Sequence, residues 1–325
     1  MRIIPIEEAV GKKLSHELSG IFPGKAEGLT FTRGYVVQEK DIETLKNMGK
    51  YHVKVLDDND LGLVHENEAA VRLGHAAIGA LCTRTDPKEG KVHAIALEHG
   101  VLVTDPKGLL QVNLMDGLKI SAKKNHSVVD VGEKVASCCI TPLEIDEEDL
   151  AEGIRRIPQP IVEIRALNQL KIGIVTTGNE VYEGRIQDAF KPYISKVLEP
   201  YGYRSLEQRI VPDIQERIEE AIRAFVVEGV ELVFLTGGLS VDADDCTLAA
   251  VRAFPDTILT AYGSPVLPGA MFLAAYHQGT IPLIGLPAGL LRGGPSILDV
   301  ILPLLLAKIP LTKEYIASLG DGGLL

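Results

Sequence analysis

Three short segments of this 325-residue chain bring glycine, hydroxyl and polar residues together in a way that suits a phosphorylated heterocycle. They are Thr176-Thr177-Gly178-Asn179-Glu180, Thr236-Gly237-Gly238-Leu239-Ser240 and Gly285-Leu286-Pro287-Ala288-Gly289. Each follows or closes an apolar run that reads as a buried strand. In open α/β sheets, ligands sit beyond the carboxyl ends of such strands, where backbone N–H groups and helix N-termini hold anions. The adjacent Gly237 and Gly238 let the main chain approach a phosphate or polar ring closely, which a Cβ would prevent. Thr177 and Ser240 add short hydroxyls suited to phosphate or ring groups.

Other chemistries find little support. The four cysteines, Cys82, Cys138, Cys139 and Cys246, form no C-x-x-C pair, and the eight histidines show neither H-x-x-x-H nor E-x-x-H spacing, so a tight zinc site is not expected. Cys138 and Cys139 read as strand residues facing opposite sides. A net charge of -11, without a Lys/Arg stripe interleaved with aromatics, argues against broad nucleic-acid binding. The longest apolar run, residues 297–306, is interrupted by Asp299 and Pro303, so no membrane span is expected. Glu7 and Glu8 stand where a signal peptide would need an apolar core, which points to the cytoplasm.

The elements that must position these segments change character near residue 160. Before it, short β-type runs such as Tyr35-Val36-Val37 and His52-Val53-Lys54-Val55-Leu56 are separated by polar turns, with one amphipathic helix over 66–79. Turn signals stand at Asp105-Pro106-Lys107-Gly108, Asp116-Gly117 and Gly132-Glu133, and the acid-rich 144–152 stretch reads as a helix before Pro158 and Pro160. After it, apolar runs at 172–176, 232–235, 271–276 and 281–286 mark strands, the last two flanking a turn at Gln278-Gly279. Helices are predicted from Asp188 to Gly202, from an Asp213/Glu216 capping box to Gly229, and over 296–306. The expected fold class is α/β: a three-layer α/β/α sandwich with a mostly parallel sheet, preceded by a mostly β N-terminal region. The expected domains are a small β-rich subdomain over 1–60, a mostly β subdomain with one helix and a linker over 61–160, and the α/β domain with a C-terminal tail over 161–325.

The α/β half resembles the molybdopterin-binding domain, and in particular the molybdopterin molybdenumtransferase (MoeA-like) family. The resemblance rests on Thr177-Gly178-Asn179-Glu180, on Thr236-Gly237-Gly238-Leu239-Ser240-Val241 followed by Asp245 and Thr247, and on Gly285-Leu286-Pro287, all in family order. It implies molybdopterin, as substrate or ligand, lying across the glycine loops and contacting Thr177, Gly178, Asn179, Thr236, Gly237, Gly238, Ser240, Thr247 and Pro287. It also implies insertion of molybdate after magnesium-dependent hydrolysis of an adenylated pterin. Glu180, Asp213 and Asp245 match the family's acidic positions and are the implied catalytic residues, with Glu180 and Asp245 as magnesium ligands, since Mg²⁺ prefers a few carboxylates with waters and substrate phosphates. The family's homodimer, with the site near the interface, is implied by analogy, and a molybdoenzyme client would follow if the protein presents the cofactor as a carrier.

The chain departs from that family in three places. Leu267-Pro268-Gly269-Ala270-Met271 lacks both lysines of the K-P-G-K-P-like loop, and Pro287-Ala288-Gly289-Leu290 lacks the Asn-Pro pair. Phe31-Thr32-Arg33-Gly34-Tyr35 does not match the D-G-Y-A signature. Two further readings therefore stand beside molybdate insertion: a non-catalytic molybdopterin carrier or maturation factor, and a pyrophosphatase of the competence-damage-inducible type. Asp213 also has a plain structural reading as a helix cap, as does Asp245.

Overall fold

A computed structural model describes residues 2–20, 30–56, 62–240, 242 and 245–322. Val241, part of the second glycine segment, lies outside the described residues. The chain divides into two compact units, Met1–Ile164 and Arg165–Leu325.

The first unit is β-rich and has two apolar clusters. One gathers Ile4, Ile6, Leu14, Leu45 and Val53 around an antiparallel pair, Arg2–Pro5 with His52–Val55. The other lies under a four-stranded antiparallel sheet in the order Cys82–Arg84, Lys91–Ala96, Lys134–Ile140, Leu118–Ala122. The helix Glu66–Ala77 joins that cluster through Ala69, Ala70, Leu73 and Ala77, which recur at helical spacing on one face. Cys138 is buried on its strand while Cys139 is only partly so, and burial pushes the Cys138 thiol up to about 12.

Three local expectations need correcting here. The Asp105-Pro106-Lys107-Gly108 signal opens the helix Pro106–Asn113 instead of a turn: Asp105 Oδ1 accepts from Lys107 N at 3.0 Å, and Pro106 occupies the first turn, where its missing N–H costs nothing. Tyr35-Val36-Val37 forms no strand; Val36 makes a single bridge to Lys13. The acid-rich stretch splits into a strand, Glu144–Asp146, and a helix, Glu147–Arg155, because Asp146 caps the helix by accepting from Glu148 N at 2.8 Å.

The second unit is the three-layer sandwich. Its strands are β1 (Ile172–Thr177), β2 (Glu207–Val211), β3 (Leu232–Thr236), β4 (Thr257–Tyr262), β5 (Leu273–His277) and β6 (Ile281–Leu286), in the spatial order β2-β1-β3-β6-β5-β4. The first four in that order run parallel, and β6, β5 and β4 pair antiparallel. Both β1 and β3 are buried along their whole length, as central parallel strands must be, which is why each reads as a continuous apolar run. Alternation sends Ile172, Ile174 and Phe234 to one face and Val175, Val233 and Leu235 to the other.

The helices Phe190–Leu198 and Ile297–Leu306 cover the first face, and the helices Gln215–Val227 and Thr247–Ala253 cover the second. Each fully buried Phe, Ile or Leu in these layers contributes about 1.5–3 kcal/mol relative to exposure. Asp188 starts the first of these helices by accepting from Phe190 N and Lys191 N, each at 3.0 Å. Ser296 and Asp299 form a reciprocal capping box at the head of the 297–306 helix. The expected Asp213/Glu216 box does not form: the 215–227 helix is entered from Ile214, and the Asp213 carboxylate turns away to strand β1. Among the described residues, no helix is long and apolar enough to cross a membrane.

Candidate functional site

The carboxyl ends of β1 and β3 meet in a knot of short contacts. Gly237 and Gly238 follow β3 with φ of 84° and 55°, in the left-handed region where a side chain is strained. A Cβ on Gly237 would stand 2.0 Å from the Thr177 carbonyl oxygen, and one on Gly238 would stand 2.8 Å from Thr247 Oγ1. Only a chain without side chains at both positions can lie this close to the end of β1. Thr247, the first residue of its helix, fastens the turn from the other side: its Oγ1 donates to the Gly237 carbonyl at 2.9 Å and its N–H to the Gly238 carbonyl at 3.2 Å.

Asp213, just beyond β2, ties this knot to β1. Its Oδ1 accepts from Thr177 Oγ1 at 2.6 Å and its Oδ2 from Asn179 N at 2.9 Å, while Asn179 Oδ1 accepts from Asp213 N at 3.2 Å. The hydrogen bonds to this carboxylate span 34 to 36 residues of sequence and hold the strand-to-helix turn at Gly178, whose φ is 143°. Charge-assisted bonds of this kind are shorter and stronger than neutral ones.

Thr176 and Thr177 point to opposite faces of the sheet. Thr177 faces Asp213 and the glycine turn. Thr176 Oγ1 instead accepts from Thr236 Oγ1 at 2.9 Å and from Gln208 Nε2 at 2.9 Å. Gln208 Nε2 also donates to Asp188 Oδ2 at 2.6 Å. Of the residues expected to contact a ligand, Thr177, Gly178, Asn179, Gly237, Gly238 and Thr247 are thus brought together. Thr236 is fully buried and bonded to Thr176 on the opposite face, and the buried Pro287 leads into the short helical turn Ala288–Arg292. Ser240 is exposed and donates to Asp242 Oδ2 at 2.8 Å.

The three acids take different places. Asp213 has both oxygens engaged inside the knot, Glu180 is exposed beside Gly178, and Asp245 is partly buried between Ser240 and Thr247, its N–H donating to the Asp242 carbonyl. Among the described residues, no group of three His, Cys, Asp or Glu side chains is placed to hold a metal ion. The acids therefore do not form a ready-made magnesium centre. Cys246 packs against the back of the knot, its Sγ donating to the Asp213 carbonyl at 3.7 Å.

Two contributors had no signal in the sequence. Gln208 lies on an edge strand, and Tyr262, at the end of β4, donates from its hydroxyl to the Leu239 carbonyl at 3.0 Å. A groove of about 480 Å³ opens at the other, amino end of the parallel strands, between Leu170, Val230, Ile281 and Ile309; it carries the Glu231–Lys308 ion pair at 3.0 Å and none of the residues of the knot.

The segment that carries this knot is similar to known proteins. Residues 173–304 match the family model described as a probable molybdopterin binding domain. Residues 3–57 match a domain of unknown function. A CinA-like protein of Mycobacterium sp. (strain MCS) is 40% identical over 84 residues, 26% of this chain and 20% of that protein. A CinA-like protein of Mycobacterium tuberculosis (strain ATCC 25177 / H37Ra) is 37% identical over 84 residues, with the same coverage. The matched part of the chain thus spans about a fifth of the length of these curated relatives. Among solved structures, the Mog protein of molybdopterin biosynthesis from Mycobacterium ulcerans aligns at 23% identity over 44% of this chain and 100% of that one, with a TM-score of 0.36. The molybdopterin biosynthesis enzyme MoaB of Thermus thermophilus aligns at 22% identity over 44% and 99%, also with a TM-score of 0.36.

Proposed function

We propose that the carboxyl edge of the second unit binds molybdopterin and that the protein acts in molybdenum-cofactor biosynthesis. The observation that carries this reading is the glycine turn after β3, packed on Thr177 and clamped by Asp213, within the segment that matches the molybdopterin-binding model. Two consecutive residues without Cβ leave main-chain N–H groups open to a flat, phosphorylated ligand. Asp213 holds the turn in shape, and Glu180 and Asp245 are the acids left to face a ligand.

Within this reading the chemistry is insertion of molybdate into adenylated molybdopterin by a MoeA-like transferase. Magnesium enters on the ligand's phosphates, since among the described residues no three His, Cys, Asp or Glu side chains converge on an ion. The same reading takes the protein as a cytoplasmic homodimer that serves a molybdoenzyme client, with 1–60 and 61–160 as separate subdomains before 161–325. The stretch of 84 residues shared with CinA-like proteins favours a second reading, a pyrophosphatase of the competence-damage-inducible type.

Calorimetric titration of the purified chain with molybdopterin tests the site: saturable binding is expected, lost in Gly238→Val and weakened in Asp213→Ala. AMP release from adenylated molybdopterin that depends on both Mg²⁺ and molybdate supports insertion. AMP release from simple nucleotide anhydrides without any pterin supports the second reading. Binding without turnover supports a carrier, and no binding at all would overturn the proposal.

A further inference from the structure

The excursion between β1 and the 190–198 helix carries Asn179 and Glu180 into the candidate site, yet burial does little to hold it. Every residue from Asn179 to Ala189 is exposed except Val181 and Asp188, which are only partly covered; Tyr182 is 57% exposed and Ile186 54%. A segment with so little buried apolar surface opens readily unless polar contacts fix it.

Among the described residues, polar contacts hold it near each end, and both ends are held from the same edge of the sheet. At the start, Asp213 accepts from Asn179 N at 2.9 Å. At the finish, Gln208 donates to Asp188 Oδ2 at 2.6 Å and to Thr176 Oγ1 at 2.9 Å, joining the excursion's last acid to the strand from which it departs. Among the described residues, Asp188 takes three donors, Gln208, Phe190 N and Lys191 N, so its carboxylate is spent on structure and not left for a ligand. Thr176 is in turn set by Thr236 from β3.

We propose that Gln208 is a positioning residue: by pinning Asp188 to the end of β1 it fixes the excursion and hence the place of Asn179 and Glu180 at the candidate site. The part of this inference that concerns a ligand rests on the molybdopterin reading; the pinning itself does not. Leucine at 208 removes the donor. Glutamate at 208 turns the pin into a switch, because a carboxyl introduced this close to Asp188 repels it when both are ionised and donates to it when it carries a proton.

The test uses the full chain with Gln208→Leu and Gln208→Glu, followed by hydrogen–deuterium exchange over 179–191 at about pH 5.5 and about pH 8, each compared with wild type at the same pH. Gln208→Leu should speed exchange roughly tenfold at both, the loss of one hydrogen bond to a charged group. Gln208→Glu should match it at the higher pH and return toward wild type at the lower, and molybdopterin affinity should follow the same pattern. A merely space-filling role for Gln208 predicts no recovery. Wild-type exchange in both variants, or equal exchange in both at the two pH values, overturns the proposal. The exchange pattern without molybdopterin binding by wild type would instead overturn the functional reading and leave the pin standing.

Discussion

Replacing Gly237 by alanine should destabilise the second unit far more than the same change at another left-handed glycine. The backbone term is common to both: alanine held at positive φ costs about 1–2 kcal/mol. At Gly279, φ 68°, an added Cβ meets nothing within 4 Å, so that term is all there is. At Gly237, φ 84°, the Cβ would sit 2.0 Å from the Thr177 carbonyl oxygen, against the 3.0 Å that real Cβ contacts essentially respect. About 1 Å of movement must therefore be found, and Thr177 cannot give it cheaply because β1 is paired on both sides and its hydroxyl bonds to Asp213 at 2.6 Å. Losing that charged hydrogen bond adds roughly 1.5–3 kcal/mol, giving about 3–5 kcal/mol in all. Urea unfolding followed by tyrosine emission suits the measurement, since the chain has no tryptophan and seven of its nine tyrosines lie beyond residue 164. In heating experiments the gap between the two variants should be roughly 5–10 °C. Equal costs for Gly237→Ala and Gly279→Ala would refute the close-approach reasoning.

Asp213→Ala should leave Thr177 Oγ1 and Asn179 N without their acceptors, destabilising by about 1–3 kcal/mol in the same assay and weakening molybdopterin binding. Cys138, whose thiol burial pushes up to about 12, should resist alkylation at pH ~8 in the native protein and react once urea unfolds the first unit. Burial, with smaller contributions from Lys54, Lys50 and His65, pushes His16 from the usual 6.5 down to about 4. The unfolded chain therefore binds the extra proton first, so stability should be full above pH ~6.5 and fall as pH drops toward ~4, by roughly 1–2 kcal/mol after allowing for partial exposure. His16→Gln should flatten that part of the stability profile measured by urea unfolding across the range, and an unchanged profile would remove His16 as the cause.

The central strands were legible in the sequence because burial on both faces imposes an unbroken apolar run, as in Ile172–Thr177 and Leu232–Thr236. The edge strands were not. Glu207–Val211 and Thr257–Tyr262 each keep part of their length in solvent, so Glu207 and Arg209 stand where a hydrophobic signal would be needed. The glycine turn and its neighbours could be read because each glycine answers a local geometric demand. Asp213 misled for the opposite reason: its spacing to Glu216 suggested a helix cap, while its partners lie 34 to 36 residues away and leave no trace in the local pattern. Gln208 is the same case, its partners Thr176 and Asp188 lying 32 and 20 residues distant.

The opposed threonines Thr176 and Thr177 also bear on how the sheet finds its alignment. A β-strand that slips by one residue exchanges its faces entirely. Were β1 to slip so, Thr176 would meet the Asp213 side and Thr177 the side of Thr236 and Gln208, and neither set of bonds could close as built. Uniformly apolar strands of similar side-chain size discriminate weakly between neighbouring alignments. Two adjacent hydroxyls with different partners on the two faces supply the missing discrimination, so the residues that shape the ligand edge also proofread the assembly of the sheet that carries it.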